Sequence, residues 1–80
     1  MITSDNPLMR YMQAHNIRPY SRASDLLDAV GVFYTYLGDI ATDKKIPTIA
    51  VLLRIEDATE GDVSAADMIK HFKQREKEAA

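Results

Sequence analysis

The chain has 80 residues, of which 46% are hydrophobic and 28% charged, and a net charge of −2. A single domain of this length hides only about 60% of its unfolded surface, and the mix of apolar and charged residues excludes an intrinsically disordered polymer. Twelve acids against ten bases exclude a nonspecific coat for nucleic acid, whose affinity comes from neutralising phosphates, and the lack of cysteine excludes disulfides and thiolate chemistry. The pattern then reads as five helices, with no alternating β-branched run long enough for a sheet. Asn6 and Pro7 open the first, over 7–15, as an N-cap followed by a proline whose missing N–H costs nothing there. Leu8, Met9, Tyr11, Met12 and His15 recur along it at helical spacing, and Asn16 is an end signal. Ser21 caps a second helix, 22–30, which carries Leu26, Leu27 and Val30 and stops at Gly31; a third spans 33–42.

Thr48 caps the fourth helix, 49–60, whose apolar residues Ile49, Val51, Leu52, Leu53, Ile55 and Ala58 cover more than half its circumference and predict the most buried helix of the fold. Glu56 falls inside that apolar arc. A carboxylate there either pairs with a cation or backbone donors or sits at the arc's edge and reaches water. Gly61 supplies a left-handed end, and Ser64 with Asp67 resembles a capping box opening the fifth helix, 65–77, with Ala65, Met68, Ile69 and Phe72 on its inner face. Residues 73–80 lack apolar periodicity and are expected as a solvated, fraying tail of one 1–80 domain.

The longest apolar run, 46–53, is interrupted by Pro47 and Thr48 and is far shorter than the ~20 residues of a membrane helix; with no basic-then-apolar leader, a cytoplasmic protein with no membrane contact is expected. His15 and His71 have no second ligand at helical spacing and read as surface histidines. Asp25 with Asp28, and Asp57 with Glu60, read as solvent-facing acids, and nothing orders the Ser, His and Asp residues for catalysis. No enzyme, metal site or cofactor is expected.

The informative constellation is a helix, a glycine bend and a second helix: Leu26 and Val30 before Gly31, then Val32, Leu37 and Ile40 as the inner face after it. Glycine suits so sharp a bend because it adopts backbone conformations that strain other residues. The run GVFYTYLGDIATDKKIPTIAVLLRIEDATEGDVSAADM, 31–68, resembles the lambda-repressor-like helix-turn-helix family, the Cro-type phage regulators and their antitoxin-like relatives. In that family a Gly-Val turn leads into a tyrosine-bearing recognition helix of the form SYLSQIATGK, then a proline, an LRIE helix and a T-G-x-V-S segment. The residues here are Tyr36 to Lys44 for the first block and Leu53, Arg54, Ile55, Glu56, Thr59, Val63 and Ser64 for the second. The chain departs from the family in Ala23 for a phosphate-holding glutamine, Leu27 for a small alanine and Phe33 for a capping serine. Asp39 and Asp43 stand where a polar reader and a glycine are common.

The resemblance implies a five-helix lambda-repressor-like domain that binds a double-stranded DNA operator as a homodimer, a transcriptional repressor of phage or prophage type. It turns Phe33, Tyr34, Thr35, Gly38 and Asp39 of the third helix toward base edges in the major groove. Lys44 and Lys45 just past that helix, and Arg18 and Arg22 before the second, fit phosphate contacts that fix register without reading sequence. The alternative is a scaffold of the same shape whose aromatic and acidic third helix binds a protein partner, as inhibitor, antitoxin or co-regulator. An exposed Phe33–Tyr34 pair is what an interface hot spot looks like.

Overall fold

The computed structural model describes the backbone of residues 5–79 and the side chains of 5–74. Among them are five helices and no strand: α1 (Pro7–Ala14), α2 (Asp25–Val30), α3 (Tyr34–Ala41), α4 (Ile49–Ala58) and α5 (Ala65–Ala79). The fold is all-α, as the apolar periodicity implies.

Local chemistry explains the boundaries. The buried Asn6 accepts from the Leu8 and Met9 amides (2.9 and 3.2 Å), and Pro7 takes the first helical position. Helix α2 begins three residues later than its sequence suggests, because Ser24 rather than Ser21 is the cap: its Oγ accepts from the Leu27 amide at 3.0 Å. Residues 15–24 instead form a loop with left-handed backbone at Asn16 and Tyr20 (φ 58° and 66°). Gly31, at φ 74°, closes α2 by donating to the Leu27 carbonyl, and α3 starts from Phe33 without a side-chain cap. Thr48 caps α4 through the Val51 amide. That helix ends at Ala58, two residues short of expectation, because the buried Thr59 turns the chain: its hydroxyl donates to the Ile55 carbonyl and accepts from the Val63 amide (2.8 and 3.0 Å).

Helix α4 packs on α2 and α5, and α1 packs on α3 and α5. Leu8 and Met12 of α1, Leu26, Leu27 and Val30 of α2, Leu37 and Ile40 of α3, Leu52 and Ile55 of α4, and Met68 and Phe72 of α5 meet in one core. Helix α4 is less buried than its apolar content implies. Ile49 and Leu53 are 65% and 51% exposed and Ile69 of α5 is 37% exposed, since α2 and α5 cover a narrower arc than the sequence makes apolar. Glu56 is half-buried and takes the backbone-donor option: its Oε1 accepts from the Ala65 amide at 3.0 Å, while Ser64 Oγ accepts from Asp67 N. The first turn of α5 is therefore satisfied partly by α4. Of the tail expected to be solvated, Lys73 and Gln74 are exposed and the side chains from 75 onward lie outside the described residues; the backbone of α5 continues to Ala79.

Candidate nucleic-acid interface

At about 100° per residue, Leu37, Ile40 and Ala41 turn one side of α3 into the core, which leaves Thr35 and Asp39 in the middle of the open side and Tyr34 and Tyr36 at its two edges. Phe33 precedes the first turn, 74% exposed, and stacks on Tyr34 with centroids 5.6 Å apart. A cation lies over each of three tyrosines on this side of the fold. Arg22 Cζ lies 5.4 Å over the Tyr34 ring, Lys45 Nζ lies 5.8 Å over Tyr36, and Lys44 Nζ lies 5.5 Å over Tyr20. Such contacts favour the charged heads by roughly 0.5–1 kcal/mol each at exposed sites, enough to bias where they rest without immobilising them. Arg18 is exposed in the α1–α2 loop and shares none of the ring contacts that gather the other three cations among the described residues.

Two expected readers are not free to read. Gly38 is buried rather than open to a partner: the Tyr20 ring lies on it so closely that a Cβ at Gly38 would fall 2.6 Å from Cε1 and 2.8 Å from Cγ. Asp39 is half-buried, with Oδ1 accepting from the Tyr20 hydroxyl at 2.8 Å and Oδ2 3.7 Å from Lys45 Nζ. The same hydroxyl meets Thr42 Oγ1 at 3.1 Å, and Thr42 Oγ1 donates to the Gly38 carbonyl. Tyr20 thus covers the C-terminal half of the open side, and Phe33, Tyr34 and Thr35 remain uncovered at the other.

Asp43 and His71 also differ from expectation. Asp43 adopts left-handed backbone (φ 66°), a conformation that glycine reaches more easily than any other residue. Its carboxylate points inward, where Oδ1 accepts from Asn6 Nδ2 at 2.9 Å and pairs with His71 Nε2 at 2.7 Å. His71 is buried, not a surface histidine, and Asn6 Nδ2 also donates to the Ile40 carbonyl at 2.7 Å. The turn that carries Lys44 and Lys45 is therefore anchored to α1 and α5. His15 is exposed at the end of α1, its ring against Tyr11.

Sequence reasoning missed Tyr20 and Asn6 as determinants of this face. Gly38 was the available signal for the first: a mid-helix glycine costs about 1 kcal/mol against alanine and marks a close approach by something else. Nothing in the sequence signals the reach from Asn6 to Asp43. Away from α3, a groove of about 270 Å³ is lined by Ile46, Pro47, Ile49, Leu52, Ile69 and Phe72, with Lys73 at its margin the one charged residue among them.

Comparisons of the chain with family models, with curated proteins and with solved structures return no match. Among the described residues no three His, Asp or Glu side chains are grouped to hold a metal ion, and no helix is long and apolar enough to cross a membrane.

Proposed function

We propose that the protein is a sequence-specific duplex-DNA-binding regulator, a non-catalytic cytoplasmic repressor of the Cro-like kind, which lays α3 in the major groove and acts as a homodimer. The observation that carries this is the distribution of charge around α3. On a chain of net charge −2, three cations border one helix, Arg22 at one edge, Lys45 at the other and Lys44 at the C-terminal end. A major groove is walled by phosphates on both sides, so a helix lying in it needs cations on both flanks and smaller, uncharged groups between. Thr35 is the small uncharged group between the flanks, Tyr34 and Phe33 are uncharged rings at its N-terminal edge, and the one acid between the flanks, Asp39, is engaged by Tyr20 and Lys45. The homodimer uses the groove beside α4: Ile49 and Leu53, one turn apart, form with Ile46 and Ile69 a mostly exposed apolar stripe, and a two-fold axis across it would bury that stripe against itself.

A titration of the protein with a duplex from upstream of its own reading frame and with a scrambled duplex, across a salt series, tests this. Preference for the first is expected, with log K falling against log salt by about 0.9 per phosphate contacted. Lys44→Ala with Lys45→Ala should weaken both duplexes alike and reduce the slope, whereas Thr35→Ala should change the preference. No binding at low salt would discard the DNA role in favour of a protein partner, for which the exposed Phe33 stacked on Tyr34 is the supporting feature.

A further inference from the structure

We propose that Tyr20, a residue of the α1–α2 loop, reads the base pairs facing the C-terminal half of α3 by placing its ring against a thymine methyl group; this rests on the DNA-binding role above. Three structural observations converge on it. The ring occupies the surface over Gly38, where only glycine leaves room, so α3 offers no side chain of its own there. Asp39, the neighbouring outward residue, accepts from the Tyr20 hydroxyl at 2.8 Å, and Thr42 one turn from Gly38 meets the same oxygen at 3.1 Å; both act as positioning residues that fix the ring. Tyr20 itself holds left-handed backbone at φ 66°, a conformation that costs a non-glycine residue on the order of 1–3 kcal/mol and persists only where its surroundings hold it.

The chemistry of the presented group follows. The hydroxyl is engaged by Asp39 and Thr42, which leaves ring carbon as the surface available to a base, and the exposed Lys44, whose Nζ rests 5.5 Å from the ring centroid, would exchange that contact for a phosphate in the complex. Carbon facing the major groove discriminates by contact with the thymine C5 methyl, the one apolar group that base pairs show there. The Asp39 carboxylate, an acceptor that would otherwise favour cytosine amino groups, has Oδ1 taken by the Tyr20 hydroxyl and Oδ2 3.7 Å from Lys45 Nζ.

The test enriches binding duplexes from a randomised pool with the intact chain, then replaces each thymine of the enriched site in turn by uracil, which removes the methyl alone. For the wild-type chain at least one replacement should weaken binding by about fourfold, the worth of one buried methyl. In Tyr20→Ala that replacement should be silent while the effect of others persists, and Tyr20→Phe, which keeps the ring but loses the bonds to Asp39 and Thr42, should retain part of it. A uracil profile in Tyr20→Ala identical to wild type would overturn the role of Tyr20 and leave DNA binding intact, whereas failure of the wild-type chain to enrich any duplex would overturn both. Should Tyr20→Ala not fold, photocrosslinking of the wild-type chain to 5-iodouracil at the sensitive position decides: attachment at Tyr20 is expected, and attachment confined to Phe33 or Tyr34 refutes it.

Discussion

The ring of Tyr20 and the bare Cα of Gly38 form a contact that admits no Cβ. The pair sets two effects against each other. Alanine at Gly38 would gain about 1 kcal/mol of helix propensity but collide with the ring, and overpacking of this kind costs about 1–3 kcal/mol. Gly38→Ala is therefore expected to destabilise the wild-type chain by about 1 kcal/mol and to stabilise the Tyr20→Ala chain by about the same amount. In a domain of this size each kcal/mol moves the melting temperature by roughly 4–8 °C, so thermal melts of the four proteins resolve the reversal. An effect of one sign in both backgrounds would rule the contact out.

His71→Ala removes a buried ring and its 2.7 Å bond to Asp43. A loss of about 2–3 kcal/mol is expected, read as a lower urea midpoint at unchanged slope. His71→Gln retains a donor and should recover part of it. A midpoint equal to wild type would mean that the pair contributes nothing to stability.

Glu56→Ala deprives the Ala65 amide of its acceptor at the start of α5 and should cost about 1 kcal/mol, in the range of an N-cap deletion. Glu56→Gln, which keeps an acceptor but loses the charge that favours a helix N-terminus, should cost less. A Glu56→Ala melting temperature equal to that of wild type would show that α5 does not depend on α4 for its first turn.

Ile49→Lys with Leu53→Lys places charges on the exposed apolar stripe. Monomer stability should change by no more than about 0.5 kcal/mol, because both positions are open to water, while sedimentation equilibrium should shift from dimer to monomer. A wild-type chain that sediments as a monomer at high concentration would assign the stripe some other purpose.

The number, order and approximate limits of the helices were legible because each cap is a local event: Asn6, Thr48 and Ser64 announce themselves within three residues. The inner residues of α2 and α3 were legible for the same reason, through period. What escaped was long-range. Ser21 and Ser24 are both capable caps, and the left-handed turn at Tyr20 decides between them. The extent of cover on α4 depends on which neighbours arrive, so Ile49 and Leu53 looked internal. Asp39 and Asp43 looked like a pair of surface acids on the candidate face, yet one is held by Tyr20 from 19 residues away and the other by Asn6 and His71 from 37 and 28. Periodicity reports which side a residue faces, not which distant polar group is waiting for it.

The anchoring of the turn after α3 bears on how the molecule moves. Asn6 stands near the beginning of the described chain and His71 near its end, and both grip Asp43. The amides of Lys44 and Lys45 both donate to the Asp39 carbonyl, so the turn is tied to α3 as well as to α1 and α5. Lys44 and Lys45 thus project as exposed side chains from a turn held by three helices, and a partner that recruits them has little backbone to order on arrival.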